Sequence, residues 1–254
     1  MKETNKSEWQ TNLIHGIRPV IEAIEAGQEI DKIFIQKGLS GSLSFQLKEL
    51  CRKKDIPLKH VPIEKLNREA KRHQNHQGVI AHIAPVSFQE LKDIIPALAE
   101  KKRAPLLLML DRVTDVRNFG AITRTAECVG VDAIIIGKQG AAPVNGDALK
   151  TSTGALLRIP ICREQNLKTT LQYLVENGYQ AVACTEKTEE NIYTPDYTKA
   201  TVVIMGSEED GINDALLKRA EHLASIPMHG KIGSLNVSVA AGVILYEALR
   251  QRSE

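Results

Sequence analysis

From Leu106 onward the chain alternates short, uninterrupted apolar runs with longer amphipathic stretches, and no other feature restricts its fold as much. The runs cover 106–110, 133–136, 159–162, 180–184, 202–205 and 224–227. An uninterrupted run of this length fits a strand buried on both faces, whereas a strand with one wet face would alternate. The stretches 119–128, 167–177, 215–219 and 237–250 carry apolar residues at helical spacing, so strands and helices take turns. The expected fold class is α/β, with a parallel sheet covered by helices on both sides. Ligands bind such sheets beyond the carboxyl ends of the strands, which directs attention to the loops that follow the runs.

Residues 1–84 read as a smaller α/β module, with helices over 19–26, 43–54 and 63–72 and strands over 32–36, 58–61 and 78–84. Residues 85–104 contain Pro96 and end in Glu-Lys-Lys-Arg-Ala-Pro, the pattern of a helical connector rather than a core element. Three parts are therefore expected: an N-terminal domain over 1–84, a connector over 85–104 and a larger domain over 105–254. A chain of 254 residues that is 43% hydrophobic can bury substantial cores. No apolar run approaches the roughly 20 residues of a membrane helix, and the start MKETNKSEWQ is unlike a secretion signal, so a cytoplasmic location is expected. Cys51, Cys128, Cys162 and Cys184 form no Cys-x-x-Cys pair and are expected to be reduced. His73 and His76 lack a convincing third ligand, and no metal is expected.

Charge separates the two parts. Residues 1–104 hold 18 Lys and Arg against 13 Asp and Glu, and the remainder holds 15 against 18. Most of the basic excess lies in 48–76, a patch suited to phosphates, although Lys-rich helix faces are also ordinary solvated surface.

Three loops of the larger domain can carry chemistry. In the first, Asn118 can cap a helix whose apolar face is Phe119, Ile122, Ala126 and Val129. Arg124, on another face, is sited to hold a phosphate or a developing oxyanion, or else to pair with Asp115 or Glu127 at the surface. In the second, Gly206 and Gly211 bracket Glu208, Glu209 and Asp210; glycine after the strand permits close approach, and the acids suit a cationic or hydroxyl-bearing ligand or a solvated turn. In the third, 226–247, Ser234 and Asn236 sit where oxygens can cap a helix. Gly230 and Gly233 there remove side-chain bulk, and Ile226, Met228 and Leu235 suit an adenine ring. A strand turning into a helix needs glycine and a cap in any α/β protein, so that loop is equally explained by structure alone. No G-x-G-x-x-G, P-loop, G-x-S-x-G or H-E-x-x-H pattern is present, which removes the usual anchors for dinucleotides, nucleoside triphosphates, hydrolases and zinc proteases.

Taken in order, Asn118-x-Gly120-x-x-x-Arg124, Gly206-x-Glu208-x-x-Gly211 and Ile226-Pro-Met…Ser234-Leu-Asn-Val-Ser238 resemble the three motifs of the SpoU (TrmH) family of RNA ribose 2′-O-methyltransferases. The likeness covers 105–250. The first part, with Ile14-His-Gly-Ile-Arg-Pro and Gln77-Gly-Val-Ile-Ala, is similar to the substrate-binding domain of many members. Within the family the likeness is to bacterial enzymes that methylate a guanosine ribose of large-subunit ribosomal RNA. Val116 departs from the pattern, which usually has proline there. The resemblance implies a C-terminal domain with a deep trefoil knot, in which the chain end tucks through an earlier loop, and a homodimer packed through that domain. It implies S-adenosylmethionine as methyl donor, contacted by Gly206, Ile226, Leu235, Thr185 and Met228. Asn118, Arg124, Glu208, Ser234 and Asn236 would lie at the reacting centre. RNA would be selected by the N-terminal domain, with His15, Arg18, Lys53, Lys54, Lys71 and Arg72 as contacts. A transfer-RNA target, a non-catalytic RNA-binding assembly factor and, third, a dehydrogenase are the rivals.

Overall fold

The computed structural model describes residues 13–70 and 75–253. It divides into two units, residues 1–87 with Val144–Gly146 and the rest of the chain. In the first unit β1 (Leu13–His15), β2 (Ile30–Gln36), β3 (Leu58–Val61) and β4 (Val79–Ile83) form one sheet in the order β1-β4-β2-β3. β4 runs antiparallel to both neighbours, and β2 pairs with β3 in parallel. Between the strands lie α1 (Ile17–Glu25), α2 (Ser42–Lys53) and α3 (Ile63–Glu69). Strand alternation splits the core in two. Ile33, Ile35, Val79 and Ala81 turn towards Val20 and Ile24 of α1 and Leu47 and Cys51 of α2, whereas Phe34 and Ile80 turn towards Leu66 of α3. β1 is absent from the sequence-based reading because three residues show no period.

The second unit contains α4 (Leu91–Ala99), β5 (Leu106–Leu110), α5 (Val116–Val129), β6 (Ala133–Gly137), α6 (Gly146–Thr151), β7 (Ile161–Glu164), α7 (Leu167–Glu176), β8 (Gln180–Cys184), β9 (Thr201–Met205), α8 (Asp214–Leu217), β10 (His222–Ala224) and α9 (Val237–Ser253). Its six strands are all parallel, in the order β10-β8-β9-β5-β6-β7. Every residue of β5 is buried, as an uninterrupted apolar run requires. Leu107 and Met109 share a core with Ile135, Ala183, Ile204, Leu171 of α7 and Leu216 of α8.

The segment expected as a connector belongs to that core. Leu91, Ile94, Ile95 and Leu98 of α4 are buried in it at the spacing of one helix face, and Pro96 is accommodated inside the helix. The boundary between units therefore falls at 87/88. The buried carboxylate of Asp132, just before β6, accepts hydrogen bonds from Leu106 N (2.9 Å) and, in the segment after α4, from Lys101 Nζ (2.7 Å) and Arg103 Nη2 (2.7 Å), which fixes the start of β5. A buried carboxylate is tolerated because charge and lone pairs are both matched.

Candidate active site

β6 and β7 extend the sheet on one side of β5, and β9, β8 and β10 extend it on the other. The chain thus reverses its direction of growth between β5 and β9, and a crevice opens where loops diverge from such a point at the carboxyl ends of the strands. The loops after β5, β8, β9 and β10 all leave from that end.

The loop after β9 folds back on itself. Ser207 and Gly211 exchange backbone hydrogen bonds of 3.1 Å each way, and the Asp210 amide donates to Ser207 Oγ at 3.0 Å. Both glycines are required by this turn. A Cβ on Gly206 would lie 2.2 Å from the carbonyl carbon of Gly211, and Gly211 has φ +67°. The close approach that Gly206 permits is therefore that of the chain's own backbone.

A clamp absent from the sequence-based reading holds this turn to β5. Arg112 donates to Asp210 Oδ2 (3.0 Å) and to the Gly211 carbonyl (3.1 Å), and it pairs with Asp111 (3.3 Å). Asp111 also accepts from the Asn213 amide at 2.7 Å. Arg112 adopts φ +58°, a backbone conformation uncommon outside glycine and kept where neighbouring contacts enforce it. An acid–base pair directly after a central apolar strand is the signal that could have found it.

Asp115, not Asn118, caps α5. Its Oδ1 accepts from the Arg117 amide (2.8 Å) and the Asn118 amide (2.9 Å), and Val116 takes the first helical position. Asn118 is thereby free to direct its side chain outwards. Gly120, two residues on, lets α5 lie against α6, for a Cβ there would sit 2.5 Å from Thr151 Cβ.

At the other end of the crevice Asn236 does cap α9, its Oδ1 accepting from the Ser238 amide (2.9 Å) and Ser238 Oγ (2.6 Å). With its carbonyl engaged, its amide faces the other way. Asn236 Nδ2 donates to Glu208 Oε1 (2.6 Å) and Asn118 Oδ1 (3.1 Å), and Asn118 Nδ2 donates to the same Glu208 oxygen (3.0 Å). Asn118 in the first turn of α5, Glu208 in the loop after β9 and Asn236 before α9 thus close one polar cluster around a carboxylate.

Glu208 and Asn236 line a cavity of about 560 Å³ together with Thr185, Gly206, Ile226, Met228, Ser234 and Leu235. Asn118 lines an adjoining cleft of about 290 Å³ with Arg112 and Glu208. Burial pushes the thiol of Cys184, also on the wall of the larger cavity, up to about 12, so no thiolate is available there. Gly233 lines this cavity and Gly230 does not; an added Cβ would meet nothing at either.

Arg124 lines neither cavity. It is exposed on α5 and, among the described residues, forms no ion pair, since Asp115 caps the helix and Glu127 approaches Arg158 at 3.7 Å.

The expected RNA contacts come from several elements of the first unit. His15 lies on β1 and Arg18 on α1, while Lys53 and Lys54 close α2 on the opposite face of the sheet from α3. Lys54 donates to the Ile24 carbonyl at 3.0 Å and so caps α1. Lys71 and Arg72 lie outside the described residues.

Residues 105–246 match the SpoU rRNA Methylase family, and residues 13–89 match the RNA 2′-O ribose methyltransferase substrate-binding domain. YacO of Bacillus subtilis, named as a TrmH family tRNA/rRNA methyltransferase, is 34% identical over 96% of this chain and 97% of its own length. The 23S rRNA (guanosine-2′-O-)-methyltransferase RlmB of Vibrio vulnificus is 34% identical over 94% of this chain and 95% of its own. Among solved structures, the SpoU methyltransferase AviRb from Streptomyces viridochromogenes, in complex with the cofactor AdoMet, superposes with a TM-score of 0.60 at 26% identity, covering 95% of this chain and 90% of that one. With the family pattern spanning the sheet and all three segments of the polar cluster, the chain belongs to the SpoU rRNA methylase family of RNA ribose 2′-O-methyltransferases.

Proposed function

We propose that this protein methylates the 2′-hydroxyl of a guanosine in large-subunit ribosomal RNA. The observation that carries methyl transfer is the meeting of Asn118, Glu208 and Asn236 from three separate segments at the carboxyl end of one parallel sheet, and the choice of a large-subunit guanosine is supported by the likeness to the Vibrio vulnificus enzyme. The cofactor is S-adenosylmethionine, and the larger cavity suits it. Ile226, Met228 and Leu235 offer apolar surface to an adenine ring, and Glu186, Glu208 and Glu209 outnumber Lys187 on the same walls, which favours a cation. When bound, it supplies an electrophilic methyl group carried on a sulfonium.

The chain's own task is to place the ribose hydroxyl and to manage its charge. Holding a nucleophile in line at near-attack distance contributes about 7–11 kcal/mol in well-oriented systems. Ser234 or Asn236 orients the hydroxyl, and Glu208 fixes the amides of Asn236 and Asn118. Arg124 stabilises the developing ribose oxyanion and holds the adjacent phosphate; a guanidinium with a pKa above about 12 does this as a cation and not as a base.

The active form is a homodimer packed through the second unit. Val239 and Tyr246 are both exposed on α9 at helical spacing, which supports an unfilled apolar contact there. A second copy is also what brings Arg124 a reacting centre, since it lines neither cavity of its own chain. The C-terminal segment forms a deep trefoil knot. Its support is membership of the family, and the chain end is held where Arg252 donates to the carbonyls of Ala104, Pro105 and Lys199. The first unit selects the RNA, and the protein works in the cytoplasm; no helix among the described residues is long and apolar enough to cross a membrane.

Transfer RNA is the second reading, because the name of the Bacillus relative covers both RNAs. Radiolabelled S-adenosylmethionine offered with ribosomal and transfer RNA separately, followed by digestion of the product, decides between them. Label on a guanosine ribose of large-subunit RNA is expected. Label on transfer RNA moves the assignment there, and label on neither leaves a non-catalytic RNA-binding assembly factor.

A further inference from the structure

Gly230 and Gly233 are not required by the conformation in which they stand. Gly206 is needed because a Cβ there would strike the facing backbone, and Gly211 because its φ is +67°. Gly230 and Gly233 have neither reason, since their backbone lies outside the left-handed region and a Cβ on either would meet nothing within 4 Å. An alanine in such a place restricts the unfolded chain and stabilises the fold, so glycine there implies a second conformation that uses its freedom.

The segment around them is tied at its two ends and nowhere between. At one end the Ser225 amide donates to the Glu190 carbonyl at 2.8 Å, and the Ile192 amide donates to the Ser225 carbonyl at 2.9 Å. At the other, Asn236 caps α9 and donates to Glu208. Among the described residues, 226–235 form no hydrogen bond through backbone or side chain, and Pro227 to Asn236 are all exposed. A run with no backbone partners rearranges at little cost. It also holds apolar surface in water, for Ile232 is 75% exposed and Met228 and Leu235 are exposed beside it.

This segment forms one rim of the larger cavity. Met228, Gly233, Ser234 and Leu235 line that cavity, whereas Gly230, Lys231 and Ile232 do not. The two glycines therefore bracket a short arch that stands off the cavity while its feet rest on it.

We infer that residues 229–233 are a lid on S-adenosylmethionine, hinged at Gly230 and Gly233, which folds inward and lays Ile232 over the bound cofactor. Hinges are residues that absorb a large change of backbone angle, and closure both buries an exposed side chain and excludes water from the sulfonium. This rests on the reading of the larger cavity as the methyl-donor pocket and goes beyond it, because Ile232 is no part of the cavity wall as it stands.

The test uses the full chain and S-adenosylmethionine. Trypsin cuts after Lys231, which is exposed in the arch, and mass spectrometry follows the rate of that cut with and without saturating cofactor. Cofactor is expected to slow it about 10-fold or more, as closure depletes the cleavable form. Free Gly230→Ala is expected to melt no lower than wild type, yet to bind S-adenosylmethionine about 5- to 30-fold more weakly by calorimetry and to lose the protection. Ile232→Ser is expected to weaken binding about 10-fold with its molar mass in solution unchanged. A wild type that binds S-adenosylmethionine but is cut after Lys231 at an undiminished rate overturns the lid and leaves the donor pocket standing. A lower melting temperature of free Gly230→Ala also overturns it, because the observed conformation would then need the glycine. A lower molar mass of Ile232→Ser overturns it as well, by giving that side chain to a subunit interface. A wild type that does not bind S-adenosylmethionine overturns both readings.

Discussion

Arg112 and Asp210, 98 residues apart in the sequence, are joined by a 3.0 Å hydrogen bond from Nη1 to Oδ2. The clamp fixes the turn that carries Glu208, and it is held at a left-handed backbone that costs about 1–2 kcal/mol. Arg112→Gly keeps that backbone and removes only the side chain. Methyl transfer is expected to fall about 10-fold while the melting temperature moves by no more than about 4 °C. Steady-state kinetics beside a thermal melt checks this; unchanged turnover would mean that the turn keeps its shape unaided.

The two glycines of that turn predict unequal penalties. In Gly206→Ala the new methyl would meet backbone on the far arm of the turn at 2.2–2.5 Å, which only opening of the turn can relieve. Gly211→Ala meets no atom and bears only the cost of φ +67°, about 1 kcal/mol. Calorimetric titration with S-adenosylmethionine should show binding lost in the first variant and weakened less than about 10-fold in the second. Equal effects would contradict the backbone geometry.

Asn236→Asp separates the cap from the cluster. Aspartate still accepts from the Ser238 amide, so α9 keeps its helicity by circular dichroism. The donor 2.6 Å from Glu208 is replaced by a second carboxylate, and turnover is expected to fall about 100-fold. Two carboxylates at that distance hold one proton between them, so part of the activity should return as the pH is lowered. A pH–rate profile parallel to the wild type would argue against this contact.

Val116→Pro should stabilise the protein by about 0.4–1 kcal/mol. Val116 is the first residue of α5, where a missing N–H costs nothing, and Asp115 before it is extended at φ −76°, ψ 125°, as a residue preceding proline must be. Urea denaturation at pH 7 is the measurement. A loss of stability would show that the Val116 side chain contributes more than the turn.

His82 makes the fold sensitive to acid. In the folded chain burial, Lys32, Lys65 and His15 hold its pKa down to about 4, whereas the unfolded chain takes the proton near 6.5. Between those values the unfolded state binds the extra proton, so stability is full above about pH 6.5 and declines as the pH falls towards 4. Glu69 faces the ring at 3.7 Å. His82→Gln should narrow the gap in urea midpoint between pH 7 and pH 5, and an unaltered gap would place the acid sensitivity elsewhere.

β5, β6, β8 and β9 were legible because burial on both faces leaves uninterrupted apolar runs, as in LLLML of β5, whereas the runs 159–162 and 224–227 sit about two residues away from β7 and β10, and α6 was not foreseen. α4 was misread because Pro96 and the charges after it outweighed the spacing of Leu91, Ile94, Ile95 and Leu98, which only the finished core explains. Two cap residues three positions apart, Asp115 and Asn118, are equivalent to any local rule; the contact of Asn118 with Glu208 decides between them. The sequence marks Gly206 as a place of close approach but does not say that the approaching group is Gly211. The spread of the expected RNA contacts over several elements was hidden for a similar reason, since charge counts along a chain carry no register.

The place of β5 between β6 and β9 has a consequence for how the protein is made. During synthesis β6 is available soon after β5, but the other edge of β5 has no partner until residues 201–205 have left the ribosome. Until then the growing chain presents five consecutive apolar residues along an unpaired edge, the kind of surface that recruits other strands. The same order that opens the crevice thus leaves one edge of β5 without its native partner over nearly a hundred codons of synthesis.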